Sequence, residues 1–140
     1  LAKNPKLLMN DSGLAAELAG FGPAGSADPV LAGRLLETFV GTELLKQIGW
    51  TSWPSPRLLH FRTAKGQEVD FVLERPSGEC VGIEVKLART IRRDDFRGLQ
   101  VLAQTLGERF VRGIVLHAGE RTVPFGERLV ACPVAALWEA

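Results

Sequence analysis

The sequence predicts an α/β fold in which a mixed central sheet is flanked by helices. Three observations carry this prediction: a helical pattern follows Asp28, residues 68–87 alternate like an antiparallel hairpin, and further strand-like and helical runs follow. The chain has 140 residues, 46% hydrophobic and 24% charged, which suits one ordinary globular domain. Residues 1–27 are predicted to form an N-terminal linking segment and residues 28–140 the domain itself.

Composition argues against several classes of protein. No apolar run reaches the length of a membrane span and no charged leader precedes an apolar stretch, so the cytoplasm is expected and no membrane partner. Cys80 and Cys132 lack the spacing of a zinc site, and a disulfide is not required. A formal charge of +1 argues against a surface that binds nucleic acid everywhere. The start at Leu1 instead of Met fits a piece of a longer chain.

The first predicted elements are short. An extended piece near residues 6–9 precedes a brief helix from about Ser12 to Ala19, and residues 22–26 form a linker rich in Gly and Pro.

A longer helix is predicted to begin after Asp28. The Asp28 side chain caps its first turn, and Pro29 occupies a position where a backbone N–H would otherwise lack a partner. The helix is expected to run to about Ile48, with Gly49 closing it.

One stripe of this helix contains an acid. At 3.6 residues per turn the stripe comprises Val30, Gly33, Glu37, Gly41, Leu44 and Ile48. Burial of an unpaired carboxylate is costly, so Glu37 is expected either to reach a metal ion or to pair with an arginine such as Arg62.

The remaining elements follow in order. Residues 57–63 are predicted to form a strand. Because the next turn could contain an even or an odd number of residues, the sequence leaves open whether His60 and Arg62 share the acidic face of the hairpin or point away from it. The later elements are a helix over 94–106, strands over 111–117 and 129–132, and a helical turn over 133–138.

The hairpin carries the clearest chemical signal. Side chains alternate along a strand, and a turn centred near Ser77 would pair Glu74 with Cys80 and place Asp70 opposite Glu84. Two facing carboxylates repel each other, so a positive group is expected between them. Lys86 lies on the same side as Glu84, and a divalent cation such as Mg²⁺ or Mn²⁺ is a second, compatible candidate.

These residues resemble a known signature. Asp70 followed by Glu84-Val85-Lys86 resembles the PD-(D/E)XK motif of restriction-endonuclease-like nucleases, with Val69 where that motif has a proline. Nearly the whole chain resembles the domain of unknown function at the C-terminus of many bacterial and archaeal AAA-type ATPases. The segments that carry this resemblance are Lys3-Asn4-Pro5-Lys6-Leu7, Asp11-Ser12-Gly13-Leu14, Gly33 to Val40, Phe61-Arg62, Glu68 to Phe71 and Ile83 to Lys86.

The resemblance implies a restriction-endonuclease-like core that follows an ATPase module. The motif supports one hypothesis, a metal-dependent nuclease acting on DNA or RNA, in which Asp70 and Glu84 hold Mg²⁺ or Mn²⁺ and Lys86 organises the attacking water. Glu37 on the first core helix would complete the ion's shell.

A basic segment follows the hairpin. Arg89, Arg92 and Arg93 lie where they could contact a phosphate backbone. The alternative is a solvated helix start, in which Asp94 and Asp95 favour the first turn.

Three functions remain open from the sequence. The first is the metal-dependent nuclease, and the second is a non-catalytic module of the same fold that binds nucleic acid or a protein partner. The third is a purely structural role in which Glu84 and Lys86 are ordinary charges on a wet sheet face.

Overall fold

A six-stranded mixed sheet forms the centre of a computed structural model, which describes residues 7–22, 28–51, 54 and 56–139. The strands are β1 (Arg57–Arg62), β2 (Glu68–Glu74), β3 (Cys80–Lys86), β4 (Phe110–His117), β5 (Val123–Pro124) and β6 (Leu129–Pro133). Their spatial order is β1-β2-β3-β4-β6-β5. Strands β3, β4 and β6 are parallel to one another, and the other neighbours pair antiparallel. The predicted mixed sheet is therefore confirmed.

Three α-helices accompany the sheet in the described residues. They are α1 (Ser12–Leu18), α2 (Pro29–Trp50) and α3 (Arg97–Leu106), and short 3-10 turns cover Arg93–Phe96, Gly107–Arg109 and Val134–Leu137. Searched over the same residues, no helix combines the length and apolar character that crossing a bilayer requires.

The N-terminus of α2 follows the prediction, and its C-terminus does not. The Asp28 carboxylate accepts a hydrogen bond from the N–H of Val30 at 2.9 Å, with Pro29 in the first turn. At the other end the helix continues through Gly49 to Trp50, and Thr51 ends it in an extended conformation. Gly49 adopts no left-handed conformation, so its prediction as the closing residue was wrong.

The sheet has two covered faces. Val40 and Leu44 of α2 pack on a cluster that includes Phe71, Ile83 and Leu116. The opposite face is covered by α3, and the buried residues of that cluster are Val69, Val72, Cys80, Phe96, Leu99, Leu102, Phe110, Val115 and Ala131. Each face is apolar because every second strand residue points the same way.

Glycines allow two helices to approach the sheet closely. A Cβ atom on Gly41 of α2 would lie 2.9 Å from the Phe71 ring, and one on Gly98 of α3 would lie 2.1 Å from the backbone oxygen of Glu68. Gly33 has no such neighbour, and Val30 is 64% exposed, so the predicted stripe of α2 is buried only from its middle onward.

Several predicted boundaries shift. The 94–106 helix begins as the 3-10 turn Arg93–Phe96 and becomes α-helical at Arg97, and the two-residue strand β5 was not predicted. Residues 7–9 belong to neither helix nor strand, while Lys6 and residues 23–26 of the predicted linker lie outside the described residues. The division at residue 27 stays a prediction.

Candidate functional site

The register of the β2–β3 hairpin brings the two predicted acids to its open end. Glu74 pairs with Cys80, as predicted, and pairing continues to Phe71 with Ile83. It ends there, one residue before Asp70 and Glu84. Pairing of β1 with β2 is also irregular at this level, between Leu59 and Phe61. The hairpin therefore opens where the acids lie.

Asp70 fills the gap that this opening creates. Its side chain is buried, with 8% of the residue exposed, and its Oδ2 accepts a hydrogen bond from the backbone N–H of Val85 at 2.9 Å. A carboxylate that accepts a backbone hydrogen bond tolerates burial better than an isolated one. The Asp70 side chain thus supplies an acceptor where the strand ladder has stopped.

Glu84 and Lys86 form a close ion pair beside Asp70. The Nζ of Lys86 donates to Oε1 of Glu84 at 2.7 Å. The Lys86 side chain is 35% exposed and the Glu84 side chain 12%. The second oxygen of Glu84, Oε2, is buried and accepts no well-formed hydrogen bond from the part of the chain that the structure describes. A buried acceptor of this kind is costly unless another group satisfies it.

The electrostatics of this cluster favour an added positive charge. Burial, followed by the charge of Asp70, raises the pKa of Glu84 to about 7, although Lys86 and the Asp70 backbone N–H act in the opposite direction. Burial alone would lower the pKa of Lys86, but its hydrogen bond and charge interaction with Glu84, followed by the charges of Asp70 and Asp95, raise it. One lysine therefore faces more than one carboxylate.

Alternation places this pair on the α3 face of the sheet. A Cβ atom on Gly82 would contact Leu99 and Leu102 of α3, so Glu84 and Lys86, two and four residues further, point toward the same side. Asp95 from the 3-10 turn approaches this end of the face, and its Oδ2 accepts the backbone N–H of Arg92 at 2.7 Å.

Glu37 lies elsewhere in the layer arrangement. It is a half-buried residue of α2, the helix that covers the opposite face of the sheet. Arg62, the base suggested as its alternative partner, has its Nε 3.8 Å from Glu68 Oε2 in an exposed pair. The assignment of Glu37 to a metal shell stays a prediction.

The donor set at the hairpin fits a hard cation with few protein ligands. Asp70 and Glu84 offer carboxylate oxygens. Because Glu84 Oε2 accepts no well-formed hydrogen bond from the described residues, its lone pairs can bind a cation. Within residues 7–22, 28–51, 54 and 56–139, no group of three or more His, Cys, Asp or Glu side chains is placed to hold a metal. A site here would rest on two carboxylates and water, which is the manner in which Mg²⁺ is often bound.

The three arginines predicted to contact nucleic acid are all exposed. The Nη2 of Arg89 lies 3.3 Å from Glu120 Oε1, an exposed pair. Arg92 is the N-cap of the 3-10 turn Arg93–Phe96, and Asp94 and Asp95 lie in its first turn, as the helix-start interpretation expected. Arg89 also lines a cavity near the end of β4.

Two cavities lie near Asp70, Glu84 and Lys86. One of about 340 Å³ is lined by Asp70 and His60, next to the irregular part of β1. The other, of about 460 Å³, lies at the end of β4 and is lined by His117. His117 was missed from the sequence. The signal available was a histidine at the end of a buried strand, two residues before Gly119.

The comparisons with known proteins agree with an α/β domain. A family model described as "Domain of unknown function (DUF4143)" matches residues 32–137. No curated protein matches this sequence. A chain of the refined half-complex from the tetradecameric assembly of Thermococcus gammatolerans McrB AAA+ hexamers with bound McrC is similar, with a TM-score of 0.52 and 16% identity over 72% of this chain and 27% of that chain. At that identity the likeness is one of fold.

Proposed function

The chain belongs to the DUF4143 family of domains of unknown function, and from that premise we propose that it is a metal-dependent nuclease domain. In this proposal a restriction-endonuclease-like core hydrolyses phosphodiester bonds of DNA or RNA. The observation that carries it is the closeness of two carboxylates, the buried Asp70 and the half-buried Glu84, beside Lys86, with one Glu84 oxygen that accepts no well-formed hydrogen bond from the described residues.

Each residue of the cluster has a distinct role in the proposal. Asp70 and Glu84 would hold Mg²⁺ or Mn²⁺, while the sequence-based assignment of Glu37 as a further ligand stays a prediction, because α2 covers the other face of the sheet. When bound, such an ion polarises a phosphoryl oxygen and acidifies a water molecule. Lys86 orients the attacking water or stabilises the charge that develops on the phosphorane.

The pKa of Glu84 gives this site a pH dependence. A carboxyl group whose pKa is about 7 is roughly half protonated near neutrality, and a cation displaces that proton. We therefore expect Mn²⁺ to bind more tightly at pH 8 than at pH 6.

The test is calorimetric titration with Mn²⁺. The purified protein is compared with Asp70→Asn and Glu84→Gln, each of which removes a negative charge with little change of shape. Glu74→Gln is the matched control, because Glu74 lies on the same hairpin and pairs with Arg57 outside the cluster. We expect both cluster variants to lose at least about tenfold in affinity, and the control to bind like the wild type. Equal binding by all four proteins would end the proposal.

Cleavage is tested separately from metal binding. Labelled single- and double-stranded DNA and RNA are incubated with Mn²⁺ and either the wild-type protein or the Lys86→Gln variant. We expect this variant to keep the metal and lose cleavage, because Lys86 acts on water or phosphate. A Lys86→Gln protein that cuts like the wild type would contradict the role assigned to Lys86.

A second function is favoured by the contacts that already occupy the cluster. Asp70 accepts a hydrogen bond from the Val85 N–H, and Glu84 forms an ion pair with Lys86. A non-catalytic domain would also keep these two contacts. In that case the module binds nucleic acid or a protein partner without cutting. Binding that survives EDTA, together with no cleavage of any substrate form, would establish this alternative.

The proposed partner is an AAA-type ATPase module in the natural chain. Resemblance to the C-terminal domains of such ATPases supports it, as does similarity to a chain from an assembly of AAA+ hexamers. We expect ATP to change the cleavage or binding of nucleic acid by the full-length protein. The same addition should leave the 140-residue chain unaffected.

A further inference from the structure

A cavity of about 460 Å³ lies one strand away from the proposed catalytic cluster. His117 pairs with Lys86 in the parallel register of β3 and β4, so the two residues are neighbours on the same side of the sheet, about 5 Å apart in strand spacing. Among the residues that line the cavity are Arg89, His117, Gly119, Glu120 and Arg121.

A glycine fixes the histidine of this cavity. The N–H of Gly119 donates to Nδ1 of His117 at 2.9 Å. A Cβ atom at position 119 would lie 2.8 Å from that nitrogen and 2.4 Å from the backbone oxygen of Arg89. Any side chain would therefore push the loop away, and the hydrogen bond depends on glycine.

This hydrogen bond determines which nitrogen of His117 can donate. Because Nδ1 accepts, the neutral ring carries its proton on Nε2. His117 is only 4% exposed, and its bond to Gly119 is the one hydrogen bond of its side chain among the described residues. His117 lines the cavity, and Nε2–H is the donor that its buried ring can offer to a ligand there.

The charges around the cavity are mainly positive. Arg89 and Arg121 contribute two guanidinium groups, and Glu120 contributes one carboxylate. The contact between Arg89 and Glu120 is exposed on both sides, at 76% and 86%. Such pairs are weak, so Arg89 is available to an anion that offers better geometry.

We propose that this cavity binds a phosphate monoester. The Nε2–H of His117 donates to one phosphate oxygen, and Arg89 and Arg121 bind the others. Guanidinium groups suit this ligand because their donors match the spacing of phosphate oxygens. Identifying the ligand as the terminal phosphate of the strand being cut rests on the proposed nuclease function, whereas the phosphate site itself does not.

The site alone is tested with inorganic phosphate. Binding to the purified protein is followed by NMR of the ³¹P resonance, with the Arg89→Gln and Arg121→Gln double variant and with His117→Phe, which keeps a ring and removes the donor. Arg57→Gln is the control, since Arg57 lies on β1 and pairs with Glu74. We expect each cavity variant to weaken phosphate binding about tenfold or more. Unchanged binding in the arginine double variant would overturn the proposal, and that variant alters only exposed side chains, so it should fold.

The ligand class is tested with oligonucleotides that differ only at their ends. Strands with a 5′-phosphate, a 3′-phosphate or two hydroxyl ends are bound to Glu84→Gln, which keeps them uncut. We expect one phosphorylated strand to bind at least about tenfold more tightly than the hydroxyl strand, and that preference to disappear in the arginine double variant. Equal binding of all three strands would overturn the terminal-phosphate assignment.

The two proposals can fail independently. If inorganic phosphate binds and no substrate is ever cut, the nuclease proposal fails while the anion site stands. If cleavage occurs and phosphate does not bind, the anion site fails while the nuclease proposal stands.

Discussion

The two faces of strand β3 have opposite chemistry over the same seven residues. One row, which includes Ile83, packs into the apolar cluster under α2. The other row has Gly82 beneath α3 and then Glu84 and Lys86, which carry charge. Because neighbouring residues serve different faces, stability and chemistry should be separable by substitutions one position apart. The predictions below test that separation.

The largest expected effect is on the apolar row. Ile83→Ala removes a side chain that is 3% exposed, and we expect a loss of about 4 kcal/mol in the free energy of unfolding. The loss should be the same at pH 5 and pH 8, since no titrating group is removed. Urea denaturation at both pH values measures it. A loss that varies with pH would show that the two rows are coupled.

The next effect concerns the approach of α3 to the sheet. Gly98→Ala would place a Cβ atom 2.1 Å from the Glu68 backbone oxygen, and we expect a loss of about 3 kcal/mol because the helix must move. Gly33→Ala is the matched control, also in a helix but with open space around it. That control should stabilise the protein by up to about 1 kcal/mol. Similar values for the two variants would contradict the close packing.

Glu84→Gln tests the charged row through pH. The folded pKa of Glu84 is raised from 4.5 to about 7, so the folded protein binds this proton more tightly than the unfolded chain. Its stability should therefore fall as pH rises from about 4.5 to about 7 and then level off, by up to about 3 kcal/mol.

Glu84→Gln should lack this slope. The free energy of unfolding, measured by urea denaturation at intervals across this window, compares the variant with the wild type. If the two curves of unfolding free energy against pH are parallel, the surroundings of Glu84 do not raise the pKa of its carboxyl group.

The smallest effect is expected for an ion pair outside the cluster. The Nη2 of Arg57 lies 2.5 Å from Oε2 of Glu74, and the arginine side chain is 73% exposed. We expect Arg57→Ala to cost about 0.5 kcal/mol and to leave Mn²⁺ binding unchanged. A change in metal affinity would show that charges along the whole hairpin, and not the cluster alone, determine binding.

The hairpin could be predicted because local chemistry determines it. The turn around Ser77 and the alternation on both sides fix the pairing of Glu74 with Cys80. The cap at Asp28 was equally local. The end of α2 was not predictable from Gly49, because a glycine can also adopt right-handed helical angles, and the helix continues through it to Trp50.

The environment of the site was less accessible from the sequence. β2 and β3 stop pairing at the level where the pairing of β1 with β2 is irregular, and neither this level nor the hydrogen bond from Val85 to Asp70 has a sequence signature. The cavity at His117 is built from loops that follow three different strands, and only the fold brings them together. Residue types suggested the chemistry, while tertiary structure decides which groups meet.

The hydrogen bond between Asp70 and Val85 has a consequence for how such domains can change over generations. Asp70 accepts the backbone N–H of Val85, and in the proposed function it also binds a metal ion. The hydrogen bond would keep this residue in place even where the metal is no longer bound. If the proposed nuclease function holds, lineages that stop cutting nucleic acid are expected to lose Lys86 or Glu84 before Asp70. An aspartate at this place would then be a poor marker of activity, and the lysine two residues beyond Glu84 a better one.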